Sequence, residues 1–129
     1  MACVDSVLVV DDEHAIREML SRLLRRLDYV VHVASDADAA VEILGATCVG
    51  VILVDRHMPG RGGDWLVAHV REHYPATAVI LATGEYVPPH VTADRVVGFL
   101  AKPFTVEVVR DAVSDAMTWH QVASRKLSR

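Results

Sequence analysis

The sequence contains no apolar run near the roughly 20 residues that a helix needs to cross a bilayer, and no basic stretch followed by an apolar core at its start. Neither a membrane span nor a secretory leader is expected in it. Cysteine is scarce: Cys3 and Cys48 stand far apart, at neither metal-ligand nor redox-motif spacing. The expectation is a pair of buried or inert thiols in a reducing cytoplasm. Positive charge is in deficit, with 13 lysines and arginines against 17 acids and a net charge of −4. Binding a phosphate backbone needs a basic face, so this composition argues against nucleic acid as the direct partner of this segment. Internal repeats and low-complexity tracts are missing as well. What is present is 129 residues, 52% hydrophobic and 23% charged, an ordinary globular balance long enough for one domain with its own core.

Apolar runs of strand length alternate with segments of helical period. "SVLVV" (6–10) runs into Asp11-Asp12. Ile16, Leu20, Leu23 and Leu27 then recur at spacings of four, three and four, one face of a helix over 13–27. "YVVHVA" (29–34) is a second strand, and Ser35 with Asp38 three later marks a helix start. Ala37, Ala40, Val41 and Leu44 form that helix's stripe, with Gly45 as its stop. "GVILV" (50–54) is a third strand, and Trp65 to Val70 predicts a helix ending before Pro75. "AVILAT" (78–83) and "VVGFLA" (96–101) are the last strands, and Thr105 caps a closing helix with Val106, Val109, Val113, Ala116 and Met117 on one face. Alternation of this kind predicts an α/β doubly wound, five-stranded parallel sheet. The stretch 84–95, "GEYVPPHVTADR", breaks the pattern, since each of Pro88 and Pro89 removes a donor and clashes inside a helix. A loop with at most a short helix after His90 is expected there.

In an open parallel sheet, functional groups gather at the carboxyl ends of the strands. Those ends are Asp11-Asp12, Asp55, Thr83 and Lys102. Three carboxylates brought together repel, and a hard cation such as Mg²⁺, which takes oxygen ligands, relieves them. A carboxylate is also a competent nucleophile for phosphorus, and phosphoryl transfer is mostly positioning and charge neutralisation. On this reading Asp11 and Asp12 hold Mg²⁺, Asp55 holds it and attacks phosphorus, Lys102 neutralises a phosphoryl oxygen, and the Thr83 hydroxyl serves another.

"VLVVDDE", "VILVDRHMPG", "LATG" and "FLAKPF", in that order and each at a predicted strand end, resemble the receiver domain of two-component response regulators over about residues 5 to 120. The resemblance implies a flavodoxin-like fold and phosphorylation of Asp55 by a partner histidine kinase or phosphotransfer protein. It implies a Mg²⁺ site from Asp12, Asp55 and the main-chain carbonyl of His57, with Asp11 reaching the metal through water. It implies a switch pair, Thr83 and Phe99, and a cis Lys102-Pro103 bond. The protein would be a signalling switch rather than an enzyme, read out by a protein or domain on the face of the family's fourth helix, fifth strand and fifth helix, or by a second copy. The Thr83 to Lys102 stretch is shorter than the family's usual one by about one helical turn, so the fourth helix is expected to be shortened or irregular. The resemblance also implies that His57 and Glu85, two residues beyond Asp55 and Thr83, flank the route of the hydrolytic water. The tail 121–129, with "SRKLSR" at its end, is expected to be a helix extension or a linker.

Plainer readings stand beside these. Asp11 and Asp12 serve as helix caps, Phe99 is a static core ring, and His57 faces solvent while its backbone works. His14, His32, His69, His73, His90 and His120 are surface or satisfied residues, and Trp65 and Trp119 are packing residues. Two rival functions follow. An aspartyl-phosphate hydrolase of the haloacid dehalogenase type wants a second aspartate at the position of His57 and a cap insertion that the sequence lacks. A receiver-like interaction module that is not phosphorylated would be marked by loss of an acidic, acceptor or lysine residue, and all of these are present.

Overall fold

The computed structural model describes residues 3, 5–85 and 96–127. Within them the order is β1 (Ser6–Val10), α1 (His14–Arg26), β2 (Val30–Ala34), α2 (Ala37–Ala46), β3 (Val51–Asp55), α3 (Gly63–His73), β4 (Ala78–Thr83), β5 (Gly98–Ala101) and α4 (Val106–Leu127). The strands pair in parallel in the order β2-β1-β3-β4-β5. The chain runs outward from β1 on both sides, so the crevice above β1 and β3 is the point where the strand order reverses. Register places the chemistry. Val10 lies opposite Val54, so Asp11 leaves β1 level with Asp55. Asp55 lies opposite Ala82, and Thr83 opposite Ala101.

Side chains alternate along each strand and feed two cores. Val7, Val9, Leu53, Ile80 and Leu100 pack under α1 and α4, against Leu20, Leu24, Val109, Val113 and Met117. Leu8, Val10, Ile52, Val54, Val79 and Leu81 pack under α2 and α3, against Leu44, Leu66, Val67 and Val70. The central strands are apolar at nearly every position because both faces are covered. Truncating a side chain such as Leu53 or Ile80, both essentially inaccessible, costs about 2–5 kcal/mol.

Four local readings of the sequence change. Asp36, not Ser35, caps α2, its Oδ1 accepting the Ala39 amide at 2.8 Å. Gly45 lies inside α2, which ends one residue later on the Ile43 carbonyl. β5 begins at Gly98, two residues after the start of the apolar run. Cys3 and Cys48 are not separate thiols but a disulfide. The pairing escapes sequence spacing because the entry to β1 and the turn before β3 meet only once the strands align. By contrast Thr105 caps α4 as expected, accepting the Val108 amide, and the Lys102-Pro103 bond is cis. The expected irregularity at 84–95 falls mostly on 86–95, outside the described residues.

Two glycines separate packing from propensity. A Cβ on Gly63 would lie 2.5 Å from the Asp55 carbonyl oxygen and 2.7 Å from Arg56 Cα, whereas one on Gly45 meets nothing within 4 Å. Gly63→Ala is expected to lower unfolding stability by about 1–3 kcal/mol despite the gain in helix propensity. Gly45→Ala is expected to raise it by up to about 1 kcal/mol. Urea unfolding of the two variants checks both signs.

Candidate functional site

β1 and β3 each drive a buried apolar run up to a carboxylate. Asp11 and Asp55 are consequently only 2% and 5% exposed. Asp12 is exposed, but one carboxylate oxygen from each of the three lies within 4.8 Å of the others. The Lys102 ammonium, carried in by the end of β5, is 3.3 Å from Asp11 Oδ2 and 3.2 Å from Asp55 Oδ1. One cation thus faces three carboxylates, and the surplus negative charge is what a hard dication would neutralise. The donor set, all oxygen, fits such an ion.

The framework around these groups is hydrogen-bonded. The Glu13 amide donates to Asp11 Oδ1 at 2.9 Å, and Arg17 Nη1 donates to the Asp11 carbonyl at 2.8 Å. The cap reading of Asp11 does not hold: the N-cap of α1 is Glu13, with no side-chain cap bond, and the Asp11 carboxylate takes the amide of that residue while lining the cluster. Arg17 was missed in the sequence; its only signal is its place one turn into α1, on the side that faces the end of β1. The loop after β3 is held by the Arg56 amide on the Ala82 carbonyl, by the Gly63 amide on the Arg56 carbonyl, and by an Arg56–Asp64 ion pair at 3.3 Å. The His57 amide donates to Asp55 Oδ1 at 3.3 Å. Thr83 is buried, and its Oγ1 accepts the Glu85 amide at 3.1 Å. His57 Nε2 and Glu85 Oε2 meet at 3.1 Å with both side chains exposed, joining the two loops across the mouth of the cluster. Phe99, also on β5, is 49% exposed rather than a core ring. Beside Lys102 a shallow apolar groove of about 410 Å³ is lined by Ile16, Met19, Pro103 and Phe104.

Burial raises the Asp55 carboxyl above the ordinary carboxylate value, and the neighbouring Asp11 charge pushes it further up; Lys102 and the His57 amide pull back without cancelling the rise. For Lys102, burial works against the charged form, but Asp11 and Asp55 outweigh it and the ammonium is held above its usual value. The site therefore keeps a firm cation beside a carboxylate that is costly to ionise without further positive charge.

The sequence profile of the response regulator receiver domain matches residues 7–114. The chain belongs to that family. This receiver domain is 30% identical over 116 residues to the response regulator protein FleR of Pseudomonas aeruginosa, a match covering 84% of this chain and 24% of FleR. It is 33% identical over 115 residues to the transcriptional regulatory protein MalR of Bacillus subtilis, covering 85% of this chain and 49% of MalR. The receiver thus spans a half or less of these relatives. Among solved structures, the Vibrio cholerae chemotaxis protein CheY4 superposes with a TM-score of 0.81 at 30% identity, over 90% of this chain and 99% of that one. A signal receiver domain from Pseudomonas fluorescens superposes at 0.85 and 26% identity, over 95% and 99%. The sheet order and parallel pairing found here are those of this fold class, as the alternation of apolar runs predicts. Among the described residues no helix is long and apolar enough to cross a membrane.

Asp55 gives the receiver a pH signature. Burial, with the Asp11 charge beside it, raises its folded pKa above the ordinary carboxylate value. Below that value the carboxyl is protonated folded and unfolded alike and costs nothing; as pH rises through the folded pKa it ionises inside the site and stability is lost. Asp55→Asn cannot ionise. In metal-free protein the variant is expected to unfold at higher urea than wild type at pH 7, with the gap closing as pH falls below about 4. Paired urea titrations at pH 7 and pH 3.5 measure it.

Proposed function

We propose that this receiver is a phosphorylation-driven signalling switch whose acceptor is Asp55. The observation that carries the reading is the Asp55 carboxylate, buried at the end of β3, with Asp11, Asp12 and the Lys102 ammonium gathered on it. An Asp55 oxygen attacks phosphorus of a phosphohistidine on a histidine kinase or phosphotransfer protein. The O–P bond forms as the P–N bond to the imidazole breaks, and the electron pair leaves with the donor's ring nitrogen. Lys102 neutralises a phosphoryl oxygen, and the Thr83 hydroxyl bonds another. Asp12, Asp55 and the His57 carbonyl would hold Mg²⁺ directly and Asp11 through water, and the ion would offset the charge that builds on the transferring group. The groove beside Lys102 gives the donor's apolar surface a place to rest next to the acceptor.

The output follows from a population shift. A phosphoryl group on Asp55 favours the packing in which Thr83 moves toward it and Phe99 turns inward behind it. The half-exposed Phe99 ring is the resting arm of that pair. The surface that changes is the face around the segment after β4, β5 and α4, where an output protein, an output domain or a second copy of the chain would dock. Kinase and output both belong to the cytoplasm on this reading.

Intact-mass spectrometry after incubation with acetyl phosphate and Mg²⁺ tests the proposal. One added phosphoryl mass is expected, absent in Asp55→Ala and in a chelator control. If neither phosphoryl addition nor a Mg²⁺-dependent change in Trp65 fluorescence with beryllofluoride is found, the chain is an unphosphorylated interaction module instead. Lys102→Ala is expected to slow phosphorylation by at least about tenfold, since among the described residues Lys102 is the cation in contact with the acceptor.

A further inference from the structure

At the opposite end of the sheet from the acidic cluster, four segments meet on one imidazole. His120, on α4, is 2% exposed. Its Nδ1 lies 2.6 Å from the Ala76 carbonyl in the turn before β4. Its Nε2 lies 2.9 Å from the Cys3 amide nitrogen, a bond between residues 117 apart. A carbonyl only accepts and an amide only donates, so Nδ1 carries the proton and Nε2 is bare. Gly50, at the entry to β3, leaves the room: a Cβ there would lie 3.0 Å from His120 Cδ2 and 3.1 Å from Met117 Sδ. Ser6, the first residue of β1, keeps a buried hydroxyl with no partner among the described residues.

The donor that satisfies Nε2 is itself tethered. Among the described residues Cys3 has two specific attachments, this hydrogen bond and the disulfide to Cys48, which closes a separation of 45 residues. Cys48 is exposed and Cys3 half-buried, so an external thiolate can reach the Cys48 sulfur. Without the tether, ordering the entry to β1 against α4 rests on one hydrogen bond, which is worth less than the backbone entropy it must offset.

We propose that Cys3–Cys48 is a reversible thiol–disulfide site that sets the docking of the second half of α4 through His120. A dithiol reductant supplies the two electrons. One of its thiolates attacks Cys48 Sγ, forming a mixed disulfide and releasing the Cys3 thiolate. Its second thiolate closes the reductant's own disulfide and releases the Cys48 thiolate. Both released sulfurs take up protons, leaving two protein thiols and one oxidised reductant. Cys3 then swings away, Nε2 loses its donor, and α4 from Met117 onward loosens from the sheet. This site is separate from the phosphoacceptor reading and stands whether or not Asp55 is phosphorylated.

Hydrogen exchange on the full chain, oxidised with diamide or reduced with dithiothreitol, tests it. The oxidised protein is expected to titrate no free thiols and the reduced protein two. Reduction is expected to speed amide exchange over 117–127 by about tenfold or more, with β1, β3 and β4 unchanged. Cys48→Ser should exchange like the reduced form under both conditions. The imidazole ¹⁵N resonance of His120 Nε2 should shift on reduction, a readout that needs no change at position 120. Thiols that stay free after diamide, equal protection of α4 in the two states, loss spread evenly over the sheet, or an unmoved Nε2 resonance would each overturn the proposal.

Discussion

The site is organised by repulsion. Asp11, Asp12 and Asp55 bring carboxylate oxygens within 4.8 Å of one another, and at an effective dielectric constant near 20 each such pair repels by on the order of 3 kcal/mol. Left alone, that repulsion would splay the strand ends or protonate one acid. The Lys102 ammonium prevents both by touching Asp11 and Asp55 together. It does so incompletely, because one positive charge cannot balance three negative ones. Burial first, and the Asp11 charge after it, raise the Asp55 pKa, and the residual imbalance is also the site's capacity to take further positive charge.

Everything else in the fold serves to keep those charges where they do not want to be. The parallel register sets Asp11 level with Asp55 and puts Thr83 one strand away. Two apolar layers lock that register, since a slip of one residue would turn every core side chain to the wrong face. α1 adds Arg17 on the Asp11 carbonyl, and the Gly63 amide closes the loop after Asp55 on the Arg56 carbonyl. The far end of the sheet uses a different device: a buried imidazole on α4 and a disulfide that carries its donor. The two ends share strands β1 and β3, but they answer to different chemistry, charge at one and thiols at the other.

Much of this was legible in the residues. Apolar runs with an acid, a hydroxyl or a lysine at the terminus give both the strand and the direction of its functional end, because only a strand covered on both faces is apolar throughout. The Thr105 cap and the apolar stripe of α1 were readable for the same local reason. The α2 cap was misplaced by one residue, since Ser35 and Asp36 are chemically equivalent signals and only backbone geometry chooses between them. Gly45 read as a stop because glycine often ends a helix, yet nothing in its own backbone required a left-handed turn. Arg17 and the Cys3–Cys48 pair were invisible because their partners are assembled by the sheet and not by spacing along the chain.

By itself the sequence determined the class of fold, the edge on which chemistry gathers, and the identity of the groups there, since period and residue type are local properties that survive without coordinates. Tertiary structure alone decided which charges touch, how the His57–Glu85 pair spans the mouth, that Phe99 stands half in solvent, and that two distant cysteines and a buried histidine form one assembly. Those are relations between segments brought together by parallel pairing, and parallel neighbours are separated in sequence by a whole crossover. No reading of spacing along the chain recovers them.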